Sequence, residues 1–446
     1  MYSDSLREEF RKAGVKEGDT VRVTIDGLSL EGELMPKPEI GSGSTLILKL
    51  KNGYNVGMIY GKGSKIERLK TGSSDISFPK ASIKPSKGLP RVLILYTGGT
   101  IGSRVDYKTG GVYMLTKPEE LLHSVPEISE VASIDVKHLF SIASEDITYI
   151  EWQQIAKAIA EAAKDGYHGV VVTIGTDTMH YTSSALSFML KGINMPVVLT
   201  GAQRSSDRGS SDAFLNLLSA VSIAAKSDAA EVGICMHRSS SDNECIFIRG
   251  TKVRKMHTSR RDAFRPINDS PLLLVKNGTE IEKLSDYRTV NEKVRAPAPS
   301  VKGGFEKKVA IVKLYPNSDP GVIGYYVDKG YKGIILEGTG LGHGPVSTDH
   351  KEFLWLPAIE KAVKDGVVVG MTSQCIYGRV HPSVYRNLRL LSNAGVIFCE
   401  DMTPETAYVK LAWLLGNYTP AETREMLPEN LVGEIKSRIL YREFMN

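Results

Sequence analysis

Residues 93–102 read LILYTGGTIG, and residues 170–186 read VVVTIGTDTMHYTSSAL. In each, an apolar run too uniform to have one wet face ends abruptly on glycine and hydroxyl residues. Runs of this kind are strands buried on both faces, as in a parallel sheet covered by helices. Gly98 and Gly99 admit backbone angles closed to other residues and let a second backbone or a ligand approach closely. The threonines are less usual, because neither is a preferred turn residue. In an open α/β sheet, the carboxyl ends of the strands are where ligands bind. A hydroxyl held there, Thr97 or Thr100, is therefore a candidate for chemistry.

Working outward, the strands VLILY, GVVVTI and MPVVLT alternate with helical segments at 151–165 and 182–191. This alternation predicts a mostly parallel, doubly wound sheet over 91–290. The stretch NEKVRAPAPSVKGGFEKK (291–308) reads as a linker, and a second α/β run follows over 309–420, with VAIVKL, GIILEG, GVVVGMTS and GVIFCE as strands. A charged amphipathic segment, 421–446, is expected to be a helical tail. Upstream the texture differs. After a short amphipathic stretch from Ser5 to Ala13, five short alternating runs are broken by Asp26-Gly27, Gly41-Ser42-Gly43 and Asn52-Gly53. Such turns between apolar runs predict hairpins, and residues 1–75 read as a small SH3-like β-barrel. Residues 76–90, rich in Pro, Lys and Ser, form the linker to the first α/β unit.

The bulk properties fit this plan. The chain has 446 residues, 41 % of them hydrophobic and 24 % charged, with a formal net charge of +5. That is long enough for about three domains. The mild positive charge is compatible with a nucleic-acid contact without requiring one. Cys235, Cys245, Cys375 and Cys399 show no CxxC spacing and read as reduced thiols, not as a disulfide framework or zinc site. No apolar run is long enough to cross a membrane, and a cytoplasmic protein is expected.

The candidate chemistry begins with Gly175, Thr176, Asp177 and Thr178, which close the second strand. Thr178 suits a helix cap. Thr176 and Asp177 read equally well as caps or as polar groups facing a small ligand. The run IRGTKVRKMHTSRRDAFRPIN carries seven basic residues from Arg249 to Arg265. Such a run is usually a solvated face or an RNA contact. Lys255 could instead relay a proton if held near Thr176 and Asp177. A relay requires Lys255 for the chemical step and tolerates loss of Lys252; a purely electrostatic run makes the two equivalent. Other motifs fail: TGGTIG has neither dinucleotide spacing nor a P-loop lysine. No G-x-S-x-G elbow is present. His343 and His381 lack metal-ligand partners and read as structural.

Together, TGGTI at 97–101, GTDTM at 175–179 and a lysine nine residues before the phenylalanine of DAF resemble the bacterial-type L-asparaginase and glutaminase family. The resemblance spans roughly residues 91–420. It implies that Thr100 is the nucleophile and that Thr176, Asp177 and Lys255 form a second hydroxyl–carboxylate–amine group. It also implies that Tyr113 belongs to a lid from Thr100 to Tyr113, that Ser144 binds substrate, and that Gly99 helps to hold the oxyanion. Close homodimers sharing active-site parts, and no metal, are implied too. The departures are Glu145, where many of these enzymes carry glutamine, His343, where asparagine is common, and the N-terminal barrel.

The stretches TSQCIYGRVHPSVY and EDMTPETAYVKL are similar to one branch of this family, the D subunits of archaeal glutamyl-tRNA(Gln) amidotransferases. That branch implies a glutaminase feeding ammonia to an E subunit, which amidates Glu-tRNA(Gln). ATP and Mg are then used by the complex, in the partner subunit, and this chain binds no cofactor itself. Two other readings stay open from sequence: a free L-asparaginase or glutaminase with an appended barrel, and a non-catalytic RNA-binding scaffold.

Overall fold

The computed structural model describes residues 2–35, 37, 42–50, 55–71, 88–99, 101, 103–105, 112–114, 125, 127–205, 211–291 and 300–444. The chain begins with a helix, Asp4–Lys12, whose N-cap Ser3 accepts the Leu6 N–H. Five antiparallel strands follow. Across the sheet their order is Asn55–Ile59, Thr45–Lys49, Leu28–Leu34, Thr20–Ile25 and Lys65–Lys70. Asp26 and Gly27 both take positive φ, 49° and 81°, so Ile25 and Leu28 face each other across a two-residue hairpin. That turn matches the twist of the strands it joins. Leu6, Phe10, Val21, Val23, Leu34, Leu46 and Leu48 fill the core of this unit. Among the described residues no ladder joins the two edge strands. In hydrogen bonding, the expected barrel is an open five-stranded sheet around one core. The Asn52-Gly53 turn lies outside the described residues.

The first α/β domain is an eight-stranded sheet. Five strands run parallel, in the order Val232–His237, Val197–Thr200, Gly169–Thr173, Arg91–Tyr96 and Ser133–His138. Alternation along the strands explains the double layer. Leu93, Leu95, Val170, Val172 and Leu199 face helices Tyr149–Lys164 and Met179–Met189, while Val92, Ile94, Val171 and Val198 face helix Ala213–Lys226. The expectation of a mostly parallel sheet needs one qualification. Glu244–Arg249, Leu273–Lys276 and Glu280–Lys283 extend it antiparallel, because short turns after His237 and at Asn277-Gly278 send the chain straight back.

The second α/β domain has four parallel strands in chain order: Val309–Lys313, Gly333–Gly338, Val368–Ser373 and Ile397–Phe398. Its helix Pro404–Asn417 packs against Met179–Met189 of the first domain, stacking Trp413 on Phe188 with ring centroids 5.6 Å apart. One apolar core therefore spans both α/β domains.

The expected helical tail is a correction. Among the described residues only Pro420–Met426 is helical there, and a short 3-10 turn at Tyr441–Glu443 is all that follows. The Glu434 carboxylate accepts the backbone N–H groups of Leu431 and Val432 and pairs with Lys410 at 2.7 Å, both side chains fully buried. A buried carboxylate consuming main-chain donors fixes an irregular path that a helix cannot follow. Among the described residues, no helix is long and apolar enough to cross a membrane.

Candidate active site

Three segments meet at the carboxyl edge of the parallel strands. The backbone after Arg91–Tyr96 passes so close to the one after Gly169–Thr173 that a Cβ on Gly99 would lie 2.4 Å from the Gly175 nitrogen. Gly99 also has φ 85°. A Cβ on Gly175 would in turn lie 2.8 Å from Ser144 Oγ. Both glycines are required by close approach, and together they draw 97–99, 143–145 and 174–178 into one cluster.

Within the cluster the polar groups sort themselves. The backbone N–H of Asp177 donates to Ser144 Oγ at 3.2 Å, and Thr178 Oγ1 donates to the Ser144 carbonyl at 2.5 Å. Thr178 does occupy the N-cap position of the helix, but its hydroxyl makes no capping bond. Lys255 comes from the short strand Val253–Lys255, which pairs with Phe264–Pro266. Its Nζ donates to Thr176 Oγ1 at 2.9 Å and to Asp177 Oδ1 at 2.6 Å. The Lys255 side chain is 9 % exposed and that of Asp177 66 %, so the amine is enclosed while the carboxylate opens outward. Thr97 is different: fully buried, it donates its hydroxyl to the Thr173 carbonyl at 2.8 Å and stitches two strands together. Of the two threonines in the opening motif, Thr97 has a structural task.

The electrostatic surroundings include a residue that motif reasoning passed over. His180, in the first turn of helix Met179–Met189, is buried, and its Nδ1 has no hydrogen-bond partner among the described residues. Burial, reinforced by the positive charges of Arg254 and Lys255, pushes its pKa down to about 4. The ring is therefore neutral at physiological pH and adds no positive charge beside Lys255.

Thr100 lies outside the described residues. So does most of the proposed lid, although its two ends form an antiparallel hairpin in which Arg104 is opposite Tyr113. Glu145 is exposed beside buried Ser144. His343 sits in a tight turn with Thr339, and the His381 ring accepts the Ser383 N–H. All four cysteines are free thiols. Among the described residues no group of three or more His, Cys, Asp or Glu side chains could hold a metal ion.

The basic run departs most from its ordinary reading as a solvated or RNA-binding face. Every one of its seven cations is paired: Arg249 with Glu231, Lys252 with Asp401, Arg254 with Glu405, Lys255 with Asp177, Arg260 and Arg265 with Asp262, and Arg261 with Asp242. Apart from Asp262, which lies within the run, these carboxylates are scattered over the sequence, so most of the neutralisation cannot be read from the run itself.

The sequence of the two α/β domains matches two family models: "Asparaginase, N-terminal" over residues 91–286 and "Glutaminase/Asparaginase C-terminal domain" over 308–427. The solved L-asparaginase of Thermococcus kodakarensis is 30 % identical, with a TM-score of 0.68, covering 78 % of this chain and all of its own. A second, L-asparaginase I of Vibrio cholerae, is 31 % identical with a TM-score of 0.66, covering 78 % of this chain and 99 % of its own. Fold and site thus define an asparaginase-type protein. Residues 15–69 match a third model, "GatD N-terminal domain". Full-length relatives share all three parts. The D subunit of the glutamyl-tRNA(Gln) amidotransferase of Pyrococcus abyssi is 50 % identical over 436 residues, 96 % of this chain and 97 % of its own. Its counterpart from Methanosphaera stadtmanae is 42 % identical over 446 residues, all of this chain and 99 % of its own. The chain belongs to this family of amidotransferase D subunits.

Proposed function

We propose that this chain is the glutaminase subunit of a tRNA-dependent amidotransferase, releasing ammonia from glutamine for the conversion of Glu-tRNA(Gln) to Gln-tRNA(Gln). The observation that carries the reading is Lys255 Nζ bridging Thr176 Oγ1 and Asp177 Oδ1 beside Ser144, in a chain that aligns end to end with its D-subunit relatives. In this reading the Thr100 hydroxyl attacks the side-chain amide, ammonia leaves, and water then hydrolyses the acyl ester to glutamate. A threonine hydroxyl is a weak nucleophile and needs a positioned base. With Lys255 in its amine form, Thr176 can take a proton from the reacting oxygen as it passes its own to Lys255. Asp177 stabilises the ammonium that results, and that proton is returned to the departing nitrogen so that it leaves as ammonia. Backbone N–H groups near Gly99 and Thr176 serve the oxyanion, and Ser144 with Glu145 lines the substrate. Tyr113 closes the lid and excludes water.

The partner in this reading is the E subunit, which would hold ATP and Mg and bring Glu-tRNA(Gln) to the complex. The asparaginase-like domains form a homodimer, the assembly is cytoplasmic, and this chain needs no cofactor. A free hydrolase has no evident use for the domain at 15–69, and the two solved asparaginases, covered over 99 % or more of their own length, account for only 78 % of this chain. The test is steady-state ammonia release from glutamine by the isolated chain, then with the E subunit and Glu-tRNA(Gln) added. The full set should raise kcat well over tenfold, since a partner that binds the closed lid better shifts its population. Deleting residues 1–85 should weaken this coupling more than the basal rate. An isolated chain already at full rate would indicate a free hydrolase.

A further inference from the structure

We infer that Arg254 and Glu405 are positioning residues for Lys255, through which the second α/β domain holds the amine of the site in register. The inference rests on the reading of Lys255 given above. Strand Val253–Lys255 is short and, among the described residues, has Phe264–Pro266 as its only ladder partner. In that ladder Arg254 stands directly opposite Arg265. Like charges facing each other across a strand pair push it apart. Each is neutralised from a different place: Arg265 by Asp262 of its own loop at 2.7 Å, and Arg254 by Glu405 of the other domain at 3.1 Å.

Glu405 is well placed for this. It lies in the first turn of helix Pro404–Asn417, where the helix dipole favours a carboxylate, and its side chain is only 9 % exposed. Its second oxygen, Oε2, is buried with no hydrogen-bond partner among the described residues. The Arg254 contact is therefore the charged bond that offsets its burial. Neighbouring contacts fix the same segment to the same domain. Thr406 Oγ1 donates to the Thr251 carbonyl at 3.1 Å, and Lys252 Nζ pairs with Asp401 at 2.7 Å. With 251, 252 and 254 anchored to the second domain, the side chain of Lys255 projects to Thr176 and Asp177 in the first.

The Lys252–Asp401 pair is buried on both sides, and losing it threatens folding. The Arg254 side chain is 29 % exposed, so its pair can be cut more gently. The experiment uses the full chain with its amidotransferase partner. Ammonia release from glutamine and thermal midpoint are measured for Arg254→Gln, Glu405→Gln, the double variant and Arg254→Lys. Each single change should lower kcat about tenfold, below the roughly hundredfold cost of a 1 Å misplacement. KM should change less than about twofold, as expected when binding is untouched. The double variant should be no worse than the poorer single, and Arg254→Lys should recover most of the rate. Lower midpoints with unchanged kcat, or independent additive losses, would overturn the inference. Lys255→Met is assayed alongside: if it too keeps normal kcat, the reading of Lys255 itself fails.

Discussion

Lys252 and Lys255 stand three residues apart in one basic run, and each is bonded to an aspartate. The first pair is sealed: Lys252 and Asp401 are 1 % and 0 % exposed. Asp401 further accepts the backbone N–H of Lys436, and its carbonyl accepts from both Lys252 and Asn268. The second pair is open on one side, with Asp177 largely in solvent and Lys255 also donating to a threonine hydroxyl. A buried ion pair with its valences filled can only hold structure. An enclosed amine touching a hydroxyl and an outward-facing carboxylate can move a proton. Identical residue types thus take different work from what surrounds them, not from the run they belong to.

Breaking the open pair should have the largest effect on rate. Lys255→Met is expected to lower kcat for glutamine hydrolysis by roughly 10²- to 10⁴-fold, the usual range for lost general-base help. The thermal midpoint should move little, since Asp177 remains solvated. Lys252→Met should do the reverse. It leaves Asp401 buried with only Arg379, 3.9 Å away, as its cation, which costs up to about 3–5 kcal/mol in a denaturant titration. The rate per folded molecule should fall far less than with Lys255→Met. The expectation from sequence that loss of Lys252 is tolerated concerned the chemical step alone; the buried pair with Asp401 adds a stability role that the sequence did not announce.

His180 sharpens the comparison through pH. Its pKa is pushed down to about 4 in the folded chain by burial and by Arg254 and Lys255, against 6.5 ordinarily. The unfolded chain then binds more protons between those values, so stability is lost as pH falls from about 6.5 toward 4. The effect is up to about 3 kcal/mol, at 1.36 kcal/mol per pKa unit. A difference curve between wild type and His180→Gln in denaturant melts across that range isolates it; a flat difference would mean the ring is protonated freely in the fold. Thr97→Val should have the smallest effect. The Thr173 carbonyl keeps the Thr97 N–H, so loss of one hydroxyl bond costs about 1 kcal/mol and leaves kcat unchanged.

Much of this was legible in the sequence because it is written in local pattern. The uniformly apolar strands at 91–96 and 169–173, the glycines at the strand ends and the Asp26-Gly27 hairpin each follow from a few neighbouring residues. The association of Thr176, Asp177 and Lys255 needed the family resemblance, since 78 residues separate Asp177 from Lys255. What could not be read were partners set by the tertiary fold. Nothing near Arg254 or Lys252 announces Glu405 or Asp401, and nothing near Lys410 announces Glu434, whose buried carboxylate turns an amphipathic tail into an irregular one. The three antiparallel strands of the first sheet were missed for a related reason: strand direction depends on short turns whose neighbours look like those of any buried strand.

The most direct test of the account is ammonia release from glutamine by Thr176→Val, in the complete complex and at a temperature where the variant is folded. Valine keeps the shape of threonine and removes only the hydroxyl that Lys255 Nζ meets at 2.9 Å. The account predicts a rate reduced as severely as in Lys255→Met, with folding intact. Near-normal ammonia release from that variant would contradict it and leave Thr176 a structural residue like Thr97.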